Sequence, residues 1–156
     1  IQAPSALGQI GAEAKPAIHR LIDALDDEIP EVRSNSAKAL EQIGYAGPEV
    51  VSALSLLIGD SSWQARGNAI SALGEFGILA RQALGDLSQA LSDETDQWVR
   101  ESIEDAIEKI KFASQYLKAK IIEMETEVYT DYTHESEVFE QHTKFIYAYF
   151  MPRQKN

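Results

Sequence analysis

The sequence contains no cysteine, and this absence excludes three kinds of chemistry at once. Disulfide frameworks, zinc sites built from thiolates and cysteine nucleophiles all require that residue. Cations are also few, because 14 Lys and Arg stand against 25 Asp and Glu and leave a formal net charge of −11. Proteins that bind nucleic acid through its phosphates need clustered cations, so we expect no nucleic-acid partner.

Long apolar runs and a leader segment are absent as well. The longest uncharged apolar stretch is Phe145–Met151, whereas a helix that crosses a bilayer needs about 20 residues. The chain opens on Ile1-Gln2-Ala3-Pro4, without the basic and apolar regions of a signal peptide. We therefore expect no membrane partner and a cytoplasmic location. The lack of an initiator Met suggests a piece of a longer protein.

Glycine is confined to the first part of the chain, and four of the five prolines lie there too. All nine Gly lie between Gly8 and Gly85, and residues 86–151 contain neither Gly nor Pro. Nine of the thirteen aromatic residues, in contrast, follow residue 111. This shift in composition predicts two regions: residues 1–110, and an extension over residues 111–156 that packs on the first region or projects from it.

The first region repeats itself. Ala6–Gly11 recurs 33 residues later as Ala39–Gly44 and again as Ala72–Gly77, and a degenerate copy, Ala106–Ile110, follows 34 residues after that. An arginine and, further upstream, an aspartate precede the last three copies: Arg33, Arg66 and Arg100, with Asp27, Asp60 and Asp93. A unit of this size buries its apolar faces only by stacking on its neighbours.

Each unit is predicted to form two helices. In the first helix of one unit, Glu31–Ile43, small and apolar residues share one face: Val32, Ser36, Ala37, Leu40 and Ile43. Gly44 suits the left-handed residue that ends such a helix. The second helices begin near Pro16 and Pro48, since a proline is tolerated in the first turn. The repeated glycine pairs are predicted to be turn residues: Gly8 and Gly11, Gly44 and Gly47, and Gly74 and Gly77.

These motifs resemble HEAT repeats, specifically the short HEAT-like repeats associated with phycobilisome lyases, over residues 3–110. The resemblance implies an all-α fold, a right-handed α–α superhelix whose second helices line the concave face. It also implies that the repeated aspartates and arginines form a structural ladder between units. Families with such repeats include scaffolds, adaptors, lyases and DNA glycosylases, and the last of these fits poorly because cations are sparse.

Candidate partner-binding residues are the second-helix positions that the core does not need: His19, Arg20, Asp23, Ser52, Leu56, Asp86 and Gln89. Leu56 is an apolar residue among polar ones, so its exposure would indicate recognition. Acidic runs at Asp93–Glu108 and Glu123–Glu140 indicate either solvated helix faces or docking surfaces for a basic protein.

The second region is predicted to begin with one long amphipathic helix from Gln97 to Val128. A turn near Tyr129–Tyr132 and a further helix carrying Phe145 and Tyr149 would complete a helical hairpin. A strand pair is the alternative, because the tail is rich in β-forming residues. Phe145 and Tyr149 are candidate contact residues, either within the hairpin or in a homodimer.

No catalytic constellation is evident. One set of metal-ligating residue types lies in the tail, but it lacks the second histidine of a zincin helix: Asp131, His134, Glu135 and His142. No phosphate-binding loop or activated serine is recognisable. We therefore expect no metal, no cofactor and no catalysis. The predicted function is a non-enzymatic scaffold or adaptor that binds a protein; the alternative is a bilin lyase subunit or a phycobilisome-handling factor.

Overall fold

The computed structural model describes the backbone of residues 6–131 and the side chains of residues 15–124. The chain divides into two compact units, Ile1–Gln115 and Tyr116–Asn156. Over the described residues the structure is helical and contains no strand. The α-helices are α1 (Ala6–Ala24), α2 (Pro30–Ile43), α3 (Pro48–Leu56), α4 (Trp63–Phe76), α5 (Leu84–Asp93) and α6 (Gln97–Asp131).

The first unit is an all-α solenoid, as the repeat predicted. Helices α2, α4 and the first part of α6 are the first helices of successive repeats, and α3 and α5 are the second helices. Helix α2 packs along α4, while α3 packs on α4 and α1 packs on α2. A short 3₁₀ segment, Leu57–Gly59, follows α3, and another, Gly77–Ala83, connects α4 to α5.

The end of α2 and the start of α3 confirm the positions predicted for Gly44 and Pro48. Gly44 adopts φ 71° and ψ 13° after α2, the left-handed conformation that glycine reaches without the steric cost of a Cβ. Pro48 is the first residue of α3, where its lack of an N–H removes no helical hydrogen bond. Gly77 also has a positive φ, 56°, at the end of α4.

The first repeat differs from the prediction. Helix α1 is continuous from Ala6 to Ala24, so Pro16 lies inside a helix and does not begin one. Gly8 and Gly11 are helical as well, and so is Gly74 in α4; the prediction that these three are turn residues is wrong. Helix packing explains why position 74 is a glycine: a Cβ on Gly74 would lie 3.0 Å from the Cα of Ala106 in α6.

The core of the first unit combines large aliphatic side chains with many alanines. Of the face predicted for the first helix, Ser36, Ala37 and Leu40 are buried, whereas Ile43 at the end of α2 is exposed. Leu40, Leu54, Ile70, Leu73 and Leu87 are among its largest fully buried side chains. The small members allow the helices to approach closely: Ala37, Ala65, Ala69, Ala72, Ala80, Ala83 and Ala106. At about 25 cal/mol per Å² of apolar area, this burial is the main source of stability in the unit.

Helix α6 confirms the prediction of one long helix and extends it to Asp131. Tyr129 is therefore helical, and a turn beginning at that residue is wrong. The rest of the predicted hairpin lies outside the described residues, and so does the strand-pair alternative. Phe145 and Tyr149 lie there too.

None of the helices within residues 6–131 combines the length and the apolar character that crossing a membrane requires.

Candidate functional site

Arg33 connects two repeats through a single guanidinium. Its Nη1 donates to the backbone oxygen of Asp27, at 2.7 Å, in the loop before its own helix. Its Nε and Nη2 donate to the two carboxylate oxygens of Asp60, at 2.7 and 2.9 Å, in the loop before α4, the first helix of the next repeat. The Asp60 carboxylate also accepts the N–H of Ser62. This paired geometry fixes the relative placement of two successive first helices.

Arg66 repeats the arrangement one unit later. Its Nη1 donates to the backbone oxygen of Asp60, at 2.9 Å, and its Nε and Nη2 donate to the Glu94 carboxylate, at 2.7 and 2.9 Å. The predicted partner was Asp93, and the structure corrects this. Asp93 accepts the side-chain amide of Gln89 within α5. The 34-residue step between Arg66 and Arg100 shifts the register by one residue.

The ends of the ladder are simpler. Arg100 donates to the backbone oxygens of Leu91 and Glu94, at 2.9 and 3.1 Å, and makes no ion pair with a described residue. Asp27 accepts the N–H of Ile29 at 2.8 Å, and no described arginine donates to its carboxylate. The carboxylates of the ladder therefore order their own loops as well as contacting arginines.

The ion pairs lower the pKa values of both ladder carboxylates. Burial raises the pKa of Asp60, but the hydrogen bonds from Arg33 and from the Ser62 N–H more than offset it, so the pKa lies below its ordinary value. The hydrogen bond from Arg66 holds the pKa of Glu94 below its ordinary value against a smaller effect of burial. Hydrogen bonding to Asp60 raises the pKa of Arg33. All three groups are therefore charged at neutral pH.

A groove of about 620 Å³ lies between the C-terminal end of α3 and helix α5; we call it the Leu56 groove. Its apolar side is dominated by Leu56, whose exposed fraction is 82%. Three of the predicted partner-binding residues meet there: Leu56, Asp86 and Gln89. Its lining is Ser55, Leu56, Ile58, Gly59, Asp60, Arg66, Asp86, Gln89, Ala90, Asp93, Glu94 and Thr95.

Negative charge dominates the Leu56 groove. Four of the lining residues are acidic, and Arg66 is the only cation among them. Arg33 neutralises Asp60 and Arg66 neutralises Glu94, which leaves Asp86 and Asp93 as the surplus charges. Both are on exposed positions of α5. The groove therefore offers one apolar side chain beside two carboxylates that no described cation contacts.

The remaining predicted contact residues are spread more widely. His19, Arg20 and Asp23 are exposed on α1, and Ser52 is exposed on α3, but none of these four lines the Leu56 groove. The structure therefore groups only part of the predicted set at one place.

Two features of the structure were not predicted from the sequence: the ion pair of Glu94 and the contact between Gly67 and Trp98. Glu94 could have been found, because it stands six residues before Arg100, as Asp27 and Asp60 stand six residues before Arg33 and Arg66. The contact between Gly67 and Trp98 could not have been found from such spacing, because it depends on how closely helices α4 and α6 approach.

Among the described side chains, no group of three or more His, Asp or Glu residues could hold a metal ion. The tail set around His134 and His142 lies outside the described residues.

The model for HEAT repeats matches residues 18–108, more than half of the chain. The model for the PBS lyase HEAT-like repeat matches residues 5–27. No curated protein matches the chain.

Proposed function

Because this chain belongs to the HEAT-repeat family, we propose that it is a non-enzymatic adaptor that binds a protein partner in the Leu56 groove. The resemblance to HEAT repeats of the phycobilisome-lyase type is confirmed by both family matches. HEAT repeats are helical scaffolds that mediate protein interactions in general. The proposal narrows this general role to one surface.

The observation that carries the proposal is the exposure of Leu56. A leucine with 82% of its surface exposed stabilises nothing in the described core, whereas burial in a complex would recover about 1.5–3 kcal/mol. Eight of the eleven other residues that line the groove are polar or charged. An apolar anchor with a largely polar rim is the usual anatomy of a small binding site.

The chemistry of the groove indicates a basic partner. Asp86 and Asp93 lie on the same side of α5, and the chain as a whole carries a net charge of −11. A lysine or arginine next to an apolar residue on the partner would satisfy both the carboxylates and Leu56. Electrostatic complementarity of this kind raises the association rate and selects among partners.

The test compares two exposed leucines. Leu56→Glu and Asp86→Arg would reverse the character of the groove, while Leu79→Glu changes a leucine that is 64% exposed outside it. Wild-type protein and each variant are immobilised, and the proteins that they capture from a cytoplasmic extract are identified by mass spectrometry. We expect a specific basic protein to be captured by wild type and by Leu79→Glu but lost from the Leu56 and Asp86 variants. Equal capture by all four proteins would contradict the siting.

A second function is favoured by one observation, the match of the PBS lyase HEAT-like repeat to residues 5–27. A bilin lyase subunit or a phycobilisome-handling factor would bind bilin or an apo-phycobiliprotein. Mixing these three components and following the visible absorbance and the elution volume tests that function. A new absorbance band or a stable complex would favour it over the adaptor role.

A further inference from the structure

The only two tryptophans of the chain lie against each other on the surface of the first unit. Trp63 is the first residue of α4, and Trp98 is the second residue of α6. Their ring centroids are 5.5 Å apart and the ring planes meet at 83°, an edge-to-face contact. Each side chain nevertheless keeps 45% of its surface exposed.

The position of this pair is fixed by the residues beneath it. A Cβ on Gly67 would overlap the six-membered ring of Trp98, so the absence of a side chain on α4 creates the place where the indole lies. Beside it, the amide of Asn68 donates to the backbone oxygen and the hydroxyl of Ser34, at 3.2 and 2.9 Å. The rings are therefore presented in one arrangement by three helices.

The rings border a groove of about 500 Å³, which we call the Trp notch. It shares no lining residue with the Leu56 groove. Its lining is Ser34, Trp63, Gln64, Asn68, Asp96, Gln97 and Trp98.

The Trp notch offers hydrogen-bond donors and little charge. Neither indole N–H donates to an acceptor within the described residues, while the side-chain oxygen of Gln64 already accepts the hydroxyl of Ser62. Asp96 is the only ionisable residue in the lining, and its carboxylate accepts the N–H of Val99. A complementary ligand therefore carries apolar surface, hydrogen-bond acceptors for the indole N–H groups, and no negative charge.

We propose that the Trp notch binds a proline-rich extended segment of a partner protein. Proline has no N–H, so such a segment presents carbonyl acceptors and apolar rings without donors that would compete. Its polyproline II conformation is formed before binding, and its rings pack on aromatic faces. The two indole N–H donors and the aromatic faces of the notch match these properties. The site is independent of the proposed function at the Leu56 groove.

The two tryptophans provide their own probe. Full-length protein labelled with ¹⁵N is titrated with an uncharged ten-residue oligoproline, and the two indole N–H resonances and the tryptophan emission are followed. We expect saturable shifts of both resonances with oligoproline and none with a glycine–serine peptide of the same length. Identical responses to the two peptides would overturn the proposal.

Variants separate the notch from the rest of the surface. Trp63→Ala is expected to weaken oligoproline binding at least tenfold, and Trp63→Phe, which keeps a ring but loses the indole N–H, is expected to weaken it less. Leu56→Glu should bind as wild type does. If Trp63→Ala does not fold, the resonances of the wild-type protein still decide. Saturable binding of a trimethyllysine peptide or a neutral oligosaccharide in place of oligoproline would contradict the proposal, since cations and sugars also contact aromatic faces.

Discussion

At the scale of single residues, Arg33 and Arg66 each join a loop of their own repeat to a carboxylate of the next. The guanidinium suits this task because its donors diverge, with one edge toward a backbone oxygen and the other toward two carboxylate oxygens. The recurrence of arginine and aspartate in the sequence indicated a ladder. It did not indicate which acid contacts Arg66, because Asp93 and Glu94 are adjacent in the chain.

The ladder predicts a loss of stability in acid. The folded-state pKa values of Asp60 and Glu94 lie below their ordinary values of 3.8 and 4.5. The two groups therefore contribute stability that is fully present above those ordinary values and is lost as the pH falls through the lower folded-state pKa values. We expect the free energy of unfolding, measured by urea denaturation, to decrease between about pH 5 and pH 3.

Glu94→Gln tests the source of this loss. The variant leaves Arg66 without its charged partner, so we expect it to lose about 2 kcal/mol at neutral pH and to depend less on pH in the acid range. Glu104→Gln, at an exposed position of α6, is the matched control and should behave as wild type. A Glu94 variant with the full acid dependence would show that other carboxylates cause it.

At the scale of helices, small residues decide how closely first helices approach. Helix α4 presents Gly67, Ile70 and Gly74 in the direction of α6, where Gly67 faces Trp98 and Gly74 faces Ala106. The residues 34 positions later are all exposed glutamates: Glu101, Glu104 and Glu108. A charged face in place of small and apolar residues is typical of a terminal repeat.

Two glycine substitutions with opposite expected signs test this packing. In Gly67→Ala the new methyl group overlaps the ring of Trp98, and we expect a loss of about 1–3 kcal/mol of unfolding free energy. In Gly85→Ala, within α5, the methyl group meets no atom within 4 Å, and the higher helix propensity of alanine should add about 0.5–1 kcal/mol. Thermal unfolding followed by circular dichroism measures both. Equal effects of the two changes would show that the contact with Trp98 is unimportant.

At the scale of the whole molecule, the chain combines a repeat unit with a second unit of different composition. The negative charge lies mainly in the repeat region, because residues 1–96 carry a net charge of −8 and residues 97–156 a net charge of −3. The Leu56 groove places two of these carboxylates, those of Asp86 and Asp93, beside an exposed leucine. The aromatic tail carries the predicted contacts at Phe145 and Tyr149, which lie outside the described residues and stay predictions.

A double substitution tests the tail. Phe145→Asp with Tyr149→Asp places two charges on the predicted apolar seam, which is costly wherever that seam is buried. We expect either a lower unfolding temperature or the conversion of a dimer to a monomer, measured by calorimetry and light scattering. Thr143→Asp, in the same segment, controls for added charge. An unchanged unfolding temperature together with an unchanged mass would contradict both roles of the tail.

The sequence by itself determined the repeat, the all-α class, the long final helix and the ends of α2 and the start of α3. These features depend on local periodicity and on the conformational limits of Gly44 and Pro48, which act over a few residues. Tertiary structure decided that Glu94 contacts Arg66, that Gly67 makes room for Trp98, and that Leu56, Asp86 and Gln89 line one groove. Each of these depends on the distance between helices, which is set by the packing of the whole core and not by neighbours along the chain.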